Sequence, residues 1–194
     1  MDSKMKFSII TPTLQRKSLK ETCDSVDRQT YKNWQHVVIA DVAELNLPPI
    51  AHKNRLILQC PHPHRNGGNS CRHNALDFCD GDYIYYLDDD NFLADPEVLW
   101  DIAYVLETSK PPWAIFPIWR LGSIFFSDPP RSCHTDTLNL VLRKDMALWP
   151  ETDAYGSDGV LVESLKSRGI MYSAYPNFRP IAVLPKISFC KEDE

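Results

Sequence analysis

The sequence contains no long apolar run. No stretch of about 18 consecutive apolar residues occurs, so we expect no membrane-spanning helix. The opening segment, MDSKMKFSII, carries charges but has no long apolar segment after them. We therefore expect no signal peptide and a cytoplasmic location.

An excess of positive charge is also missing. The chain has 26 Asp and Glu residues against 21 Lys and Arg residues, which gives a formal net charge of −5. Proteins that bind nucleic acids or anionic membranes as their main task carry basic surfaces that neutralise phosphate groups. We therefore expect neither kind of partner, and in particular no nucleic acid.

Cysteines with the spacing of disulfide scaffolds or zinc sites are missing as well. The six cysteines include no CxxC pair, so we expect reduced, packed thiols. The segment from Cys60 to His64 (CPHPH), with Cys71 and His73 beyond it, has residue types that bind zinc. Its spacing matches no structural zinc pattern, so we interpret the segment as a loop stiffened by prolines.

The residues that are present indicate a soluble α/β protein. The chain has 194 residues, of which 43% are hydrophobic and 24% are charged. This length is enough for one domain over residues 1–194 and scarcely enough for two. Apolar runs predict strands at 7–10, 35–40 and 55–59, and a capping-box pattern at Ser18 predicts a helix up to Arg28. This alternation produces a parallel sheet with helices on its faces.

The rest of the chain continues in a similar way. We predict a glycine-containing loop at 64–69, a helix over 70–79, and a helix that begins at Asp95-Pro96 and reaches Glu107. The remaining predicted elements are strand-like segments at 113–119, 122–126, 137–142 and 171–175 and a helix over 157–168 that Ser157 caps.

One stretch combines a core strand with acidic residues. Five bulky uncharged residues, from Tyr83 to Leu87, run directly into Asp88, Asp89 and Asp90. Such an apolar run is typical of a strand buried on both faces. If the strand continues to its tip, Asp88 and Asp90 point one way and Asp89 the other. The three carboxylates repel one another, so we predict a bound magnesium or manganese ion; an acidic turn is the alternative interpretation.

Other polar features follow the predicted strands. They are Thr11-Pro12-Thr13 after the first strand, Asp41 after the second, and the Gly67-Gly68 loop before the second helix. Because the carboxyl ends of parallel strands meet at one edge, we expect these features to converge with the acidic triplet. Arg72 adds a planar cationic fork to the set. Together these groups are suited to a nucleotide diphosphate and a metal ion, with Asp41 accepting hydrogen bonds from the base or ribose.

With these residues the chain resembles the family 2 glycosyltransferases of the GT-A fold. The matching segments, in the family's order, are FSIITPTLQR, SVDRQTYKNWQHVVIAD, NGGNSCRHNALDFCDGDYIYYLDDDN and YGSDGVLVESLKSRG, which span about residues 6–169. The third segment is the most specific, since it resembles the family's arginine-asparagine helix, apolar strand and DXD motif. The resemblance implies a single Rossmann-like domain with a nucleotide-binding part at about 6–92 and an acceptor part at about 93–190.

The resemblance also implies a role for each matching residue. Pro12 and Thr13 would line the nucleotide pocket, and Asp41 would bind the base, usually uracil. Arg72 would contact the pyrophosphate or the neighbouring loop. Asp88 and the adjacent Asp89 would contact the ribose or sugar, and Asp90 would ligate manganese or magnesium. Asp158 corresponds to the general base that deprotonates the acceptor hydroxyl. The start of a helix should lower the pKa of Asp158 rather than raise it. As an alternative, Asp158 is only an acidic residue that stabilises the helix start.

The chain departs from the family pattern at several positions. Val42 follows Asp41 where the family usually has a second acidic residue, and Ser157 replaces the glutamate before the presumed base. The C-terminal part lacks an obvious histidine for the metal, and His134 is either a substitute or an ordinary surface residue. Trp119, Arg120 and Tyr155 either shape an acceptor site or belong to the packing.

These observations predict a metal-dependent, inverting glycosyltransferase that moves a sugar from a nucleotide-sugar, a UDP-sugar, to an acceptor hydroxyl. A nucleotidyltransferase is the first alternative, but that class carries a glycine-rich loop after strand one, where TPTLQRK has no glycine. A catalytically degenerate module that binds a nucleotide or a partner is the second alternative, and the missing acids at Val42 and Ser157 leave it open.

Overall fold

The computed structural model describes residues 5–61, 66–132, 134–150 and 156–184. Its α-helices are α1 (Leu19–Asp27), α2 (Asn69–Ala75), α3 (Val98–Ser109) and α4 (Ser157–Ser167). Its strands are β1 (Phe7–Thr13), β2 (Trp34–Ala40), β3 (Arg55–Gln59), β4 (Tyr83–Tyr86), β5 (Phe92–Leu93), β6 (Trp113–Ile115), β7 (Ile118–Arg120), β8 (Ser123–Phe125), β9 (Leu140–Arg143), β10 (Tyr172–Ala174) and β11 (Ala182–Leu184). Within these ranges, no helix combines the length and the apolar character that crossing a bilayer requires.

A seven-stranded sheet in the order β10-β6-β9-β4-β1-β2-β3 forms the centre of the described structure. β1 runs parallel to β2 and β4, β2 runs parallel to β3, and β6 runs parallel to β10. β9 runs antiparallel to both of its neighbours, β4 and β6. The prediction of a mainly parallel central sheet is therefore confirmed.

The register of β1 brings three strand ends to one edge of this sheet. Ile10 of β1 pairs with Val37 of β2 on one side and with Tyr86 of β4 on the other. Beyond these pairs, the N–H of Asp41 donates to the carbonyl oxygen of Thr13 at 2.9 Å. The segments that follow β1, β2 and β4 therefore lie next to one another, as expected for parallel strands.

Alternate residues of the central strands pack against helices on opposite faces of the sheet. Ile9 and Tyr85 belong to a buried cluster that includes residues of α3. Ile10 and Tyr86 belong to another buried cluster that includes residues of α2 and α4. Because both faces are covered, the strands appear in the sequence as continuous apolar runs. The prediction of helices on both faces is confirmed.

The sequence patterns do not predict the second sheet, in which β5, β11, β7 and β8 are neighbours in that order. The aromatic-rich segment predicted over 113–119 divides into β6 and β7, which belong to different sheets. At this division the N–H of Phe116 donates to the carbonyl of Asn139 at 2.9 Å, and the carbonyl of Pro117 accepts from Ile181 at 2.9 Å. Pro117 has no N–H and cannot continue a ladder as a donor. The strands β5 and β11 are too short to produce a periodic pattern.

Helix starts agree only in part with the predicted caps. Ser18 occupies the cap position of α1, as predicted, but its side chain makes no capping hydrogen bond. Asp95 accepts a hydrogen bond from the N–H of Glu97 at 2.9 Å, in a turn before α3. Gly156, rather than Ser157, occupies the cap position of α4. Short polar side chains satisfy the backbone of a turn as readily as that of a helix end, so the pattern alone does not locate the first helical residue.

A buried polar network joins β1, β2 and β3 to α1. The fully buried side chain of Arg55 forms an ion pair with Asp27 at 2.7 Å. Its Nε donates to Nδ1 of His36 at 3.0 Å, so the proton of His36 lies on Nε2 and points to Thr11 Oγ1 at 2.9 Å. Burial, with a further contribution from Arg55, lowers the pKa of His36 well below its usual value, and the ring is neutral.

The substitution Arg55→Met tests this network. It leaves Asp27 and His36 without their buried donor, so we expect a loss of about 2–4 kcal/mol in the free energy of unfolding. Urea denaturation of both proteins measures the difference. Lys20→Met is the control, because it removes an exposed ion pair to Asp24 and should cost less than about 0.5 kcal/mol. Equal effects of the two substitutions would contradict a structural role for the network.

Candidate functional site

The polar residues predicted to converge line one cavity of about 230 Å³ at the carboxyl edge of the large sheet. The cavity lies where β1, β2 and β4 end and where α2 begins. Its lining consists of Pro12, Thr13, Leu14, Arg16, Asp41, Gly67, Gly68, Arg72, Asp88, Asp89 and Asp90. The structure thus brings together the residues that the sequence assigned to a nucleotide-sugar and a metal.

The acidic triplet forms a turn and not the tip of a strand. β4 ends at Tyr86, and the N–H of Asn91 donates to the carbonyl of Asp88 at 3.1 Å. Asp89 and Asp90 share one cation, since Arg16 Nη1 lies 3.1 Å from Asp89 Oδ1 and 2.8 Å from Asp90 Oδ2. Asp88 forms its ion pair with Arg72 instead. The alternating directions predicted for Asp88, Asp89 and Asp90 depended on a strand that continues to its tip, and this condition is not met, because the strand ends before the triplet.

The three carboxylates differ in exposure and in partners. The side chain of Asp89 is 5% exposed and accepts a hydrogen bond from Thr13 Oγ1 at 2.6 Å, whereas the side chain of Asp90 is 43% exposed. Burial raises the pKa of Asp89 against the effect of Thr13 and Arg16. Burial, and then the charge of Asp88, raises the pKa of Asp90. Asp89 is thus a fixed anchor, and Asp90 is the more accessible anion.

The donor set fits a hard divalent cation. Carboxylate oxygens are the ligands that magnesium and manganese prefer. Burial raises the pKa of both Asp89 and Asp90, so a cation bound beside them would favour their charged forms. Asp90, with Asp88 beside it, is therefore suited to hold such an ion.

The glycine loop approaches β1 so closely that a side chain does not fit. Gly67 and Gly68 have φ angles of +67° and +79°, which favour glycine. A Cβ atom on Gly68 would lie 2.8 Å from Cβ of Pro12 and 3.1 Å from Nη1 of Arg72. Nη1 of Arg72 also donates to the carbonyl of Gly67 at 2.8 Å. The loop therefore fixes both the wall of the cavity and the guanidinium group.

Arg72 is a buried cation and not an exposed surface residue. It is 5% exposed, and its guanidinium lies 4.8 Å from the ring centroid of Trp149. It forms the ion pair with Asp88, while its Nε has no hydrogen-bond partner. A buried guanidinium of this kind is well suited to an anionic ligand, because an arginine donates several hydrogen bonds in a fixed geometry.

Asp158 lines a second cavity, of about 180 Å³. The two cavities share Gly67, Arg72 and Asp88. Asp158 lies in the first turn of α4, and its Oδ1 accepts from the N–H of Gly159 at 2.8 Å. Burial raises the pKa of Asp158 despite this hydrogen bond and despite Arg72. The expectation of a lowered pKa is wrong, because desolvation outweighs the helix start.

Two residues of the site have no predicted role in the sequence analysis. Trp149 stacks with Arg72, contacts the ring of Tyr86 at a centroid distance of 4.7 Å, and donates from Nε1 to Asn69 Oδ1 at 3.1 Å. No motif or periodicity points to Trp149. Arg16 lies within the segment FSIITPTLQR, just after the first strand. The signal that could have identified it is a cationic residue that follows a strand whose end is expected beside the acidic triplet.

Several other candidates lie elsewhere. In the part of the chain that the structure describes, His134 and Trp119 line neither of the two cavities. Arg120 lies 3.7 Å from Asp136 and packs over the ring of Phe125. Tyr155 lies outside the described residues. The acceptor role of Trp119, Arg120 and Tyr155 therefore gains no support from these cavities.

Four cysteines in the described ranges are free thiols. Cys23, Cys60, Cys71 and Cys79 are free and buried. Cys60 and Cys71 lie close to Asp41, with their potential ligand atoms within 4.8 Å of one another. Burial raises the pKa of Cys71 above its usual value, which favours a packed thiol over a thiolate ligand. His62 and His64 of the possible zinc cluster lie outside the described residues.

Comparison with protein families gives one match. The sequence profile described as "Glycosyl transferase family 2" matches residues 8–115, which is more than half of the chain. This range contains the glycine loop, Arg72 and the acidic triplet, but it ends before Asp158. Among curated proteins, no sequence matches the chain.

Comparison with solved structures shows the GT-A fold. S. aureus TarS 1-349 is similar with a TM-score of 0.73 and 18% identity, over 92% of this chain and 60% of that chain. Its complex with UDP-GlcNAc has a TM-score of 0.69 and 16% identity, over 92% of this chain and 58% of that chain. The mannosyltransferase PcManGT from Pyrobaculum calidifontis, in complex with GDP-Man and Mn²⁺, is similar with a TM-score of 0.72 and 14% identity. The match covers 97% of this chain and 60% of that chain. This chain thus spans about 60% of the length of these structures.

The glycine loop provides a test with a matched control. Gly68→Ala places a Cβ against Pro12 and Arg72 and adds the strain of a positive φ, so we expect a loss of about 2–4 kcal/mol in the free energy of unfolding. Gly67→Ala carries the same kind of strain, but its Cβ would meet nothing within 4 Å. We expect it to cost about 1–2 kcal/mol. Chemical denaturation measures both, and equal losses would contradict the close contact at Gly68.

Proposed function

This chain belongs to glycosyl transferase family 2, and from that premise we propose that it transfers a sugar from a nucleotide-sugar donor to an acceptor hydroxyl group. The observation that carries the proposal is the pair of adjoining cavities. One contains Asp41, the acidic triplet and Arg72, the other contains Asp158, and both share Arg72 and Asp88. A donor and an acceptor placed in these cavities would meet at Asp88 and Arg72.

The first cavity would hold the nucleotide diphosphate. Asp41 is buried and would accept hydrogen bonds from the base, with Pro12 and Thr13 lining the pocket around it. Arg72, on α2, would donate to the diphosphate. Asp88 would accept hydrogen bonds from ribose or sugar hydroxyls. We propose a UDP-sugar as the donor, on the basis of Asp41, which corresponds to the family residue that usually binds uracil, and of the UDP and UDP-GlcNAc complexes of TarS.

A divalent cation, manganese or magnesium, held by Asp90 would place positive charge beside the departing diphosphate. Asp89 would keep the turn in place through Thr13, so that Asp90 stays at the cavity wall. Arg72, which forms the ion pair with Asp88, would add a second positive charge beside the leaving group. The residues of the chain thus supply the orientation of the diphosphate and part of its charge compensation.

Asp158 would act as the general base in one displacement step. The acceptor oxygen forms a bond to the anomeric carbon while the bond from that carbon to the diphosphate oxygen breaks. The proton of the acceptor hydroxyl passes to the Asp158 carboxylate, and the electron pair of the broken bond leaves with the diphosphate. Attack from the face opposite to the leaving group inverts the anomeric carbon. Because a hydroxyl is a weak acid, proton transfer has to accompany bond formation.

The raised pKa of Asp158 suits this role. A carboxylate that holds its proton more strongly than usual is a better proton acceptor when it is ionised. Trp149 and Asn69 form another part of the same cavity and would contact the acceptor. In this proposal the chain is a single GT-A domain, with the donor bound by about residues 6–92 and the acceptor by about 93–190.

A module that binds a nucleotide-sugar without transfer is the second candidate. The specific observation in its favour is Ser157, which stands beside Asp158 at the position of the family's glutamate and is itself buried. This second candidate predicts that the protein binds a nucleotide-sugar but transfers no sugar. The two experiments that follow separate binding from transfer.

Thermal denaturation tests donor binding. At ligand concentrations about 100 times Kd, UDP with Mn²⁺ should raise the melting temperature by about 5–10 °C. UDP with EDTA should raise it much less, because Asp90 and Asp88 then lack the cation that compensates the diphosphate. GDP with Mn²⁺ is the comparison for base preference. An equal shift with Mn²⁺ and with EDTA would rule out the metal site.

The substitution Asp158→Asn tests transfer. The asparagine keeps a side-chain oxygen that can accept the hydrogen bond from the N–H of Gly159, but it cannot act as the base. We therefore expect about a 10²–10⁴-fold loss of kcat, with the affinity for UDP nearly unchanged. The pKa of Asp158 is raised in the folded state, so its ionised form costs stability at neutral pH, and Asp158→Asn should raise the melting temperature. For the same reason, wild-type kcat should fall on acidification at a pH above the usual carboxyl pKa.

Glu163→Gln is the control, since Glu163 lies on α4 and forms an exposed ion pair with Lys166. Its kcat and its melting temperature should match those of the wild type. A radiolabelled transfer assay and a thermal scan measure both variants. A combined loss of kcat, UDP affinity and stability in Asp158→Asn would instead assign Asp158 a structural role.

A further inference from the structure

Arg16 occupies the position where a cation is needed. It lies in the loop after β1, three residues beyond Thr13, and its Nη1 lies 3.1 Å from Asp89 Oδ1 and 2.8 Å from Asp90 Oδ2. A single guanidinium nitrogen therefore bridges the two carboxylates. Arg16 also lines the same cavity as Arg72 and the glycine loop.

The two carboxylates hold Arg16 in different ways. Asp89 is nearly buried and is fixed by the hydroxyl of Thr13, which also accepts from the N–H of Gln15 at 2.8 Å. Asp90 and Arg16 are about half exposed, with side-chain exposures of 43% and 52%. Exposed ion pairs of this kind are weak and exchange readily with dissolved ions. The contact to Asp89 thus anchors Arg16, and the contact to Asp90 is the one that can be exchanged.

We propose that Arg16 competes with the divalent cation for Asp90 in the ligand-free protein and turns to the donor diphosphate once the cation holds Asp90. This inference rests on the proposed function and adds a regulation of the same site. It makes Arg16 a positioning residue that links metal binding to nucleotide binding. It also explains why a metal-binding carboxylate has an arginine as its partner.

The exchange conserves charge compensation at each stage. In the ligand-free protein the guanidinium compensates Asp89 and Asp90. When a divalent cation takes Asp90, Arg16 and the cation repel each other, unless an anion lies between them. A diphosphate provides that anion, and a guanidinium presents five N–H donors, so it can keep Asp89 and also donate to a phosphate oxygen. Metal alone should therefore bind weakly, and metal with UDP should bind strongly.

The substitution Arg16→Met tests this competition, because the proposal predicts tighter binding of Mn²⁺ but weaker binding of UDP. Without the guanidinium, Mn²⁺ alone should bind about 3–10 times more tightly, since Asp90 is no longer paired. At saturating Mn²⁺, UDP should bind about 5–20 times more weakly, since a phosphate contact is lost. Electron paramagnetic resonance of free Mn²⁺ measures the first affinity, and isothermal titration calorimetry measures the second.

Lys17→Met is the matched control. It removes the same charge one position further along the chain from an exposed residue, so it should change both affinities by less than about twofold. Arg16→Lys keeps the charge but loses the planar fork, and its Mn²⁺ affinity should remain close to that of the wild type while UDP binds more weakly. A thermal scan of each variant checks folding. If Arg16→Met does not fold, Arg16→Gln, which removes the charge but keeps a polar side chain, should show the same two changes in affinity.

The outcomes separate this inference from the proposed function. If the wild type binds neither Mn²⁺ nor UDP, the proposed function is wrong, and the competition fails with it. If the wild type binds both and Arg16→Met leaves Mn²⁺ affinity unchanged or lower, the competition is wrong and the proposed function stands. If Arg16→Met raises Mn²⁺ affinity without weakening UDP, the transfer of Arg16 to the diphosphate is wrong.

Discussion

The compensation of three crowded carboxylates is the constraint around which the site is arranged. Asp88, Asp89 and Asp90 follow one buried strand, and two of them carry raised pKa values because burial removes water from their charges. Two arginines from different parts of the chain form ion pairs with these carboxylates. Arg72 comes from α2 and Arg16 from the loop after β1. Since β1 lies next to β4 in the sheet, the loop after β1 brings Arg16 beside the triplet.

The scaffold and the chemistry occupy different layers of this arrangement. Continuous apolar strands and two covered faces position the strand ends, and the buried network at Arg55 and His36 ties β1, β2 and β3 to α1. The polar residues at the edge then contribute little to the core and are available for ligands. Asp89 belongs to both layers, because its bond to Thr13 locks the turn that presents Asp90.

The sequence predicts the large sheet and the location of the site but not the arrangement of individual side chains. Long apolar runs located β1, β2 and β4 because strands covered on both faces carry an uninterrupted hydrophobic signal. The small sheet could not be predicted from the sequence, since β5 and β11 contain only two and three residues and pair with strands far along the chain. The direction of each carboxylate depended on where β4 ends, which no residue type specifies. The sign of the Asp158 pKa shift depended on burial, which a helix position does not show.

Arg72 forms part of the wall between the two cavities, and this position has a thermodynamic consequence. Its guanidinium lies 4.8 Å from the ring centroid of Trp149 and forms the ion pair with Asp88, and Gly68 packs close to its Nη1. A molecule that shifts Arg72 in one cavity thereby alters the free energy of occupancy of the other. Linkage requires this influence to be reciprocal, with the same factor in both directions. In the proposed transferase, the affinities for donor and acceptor would therefore be coupled through this one side chain.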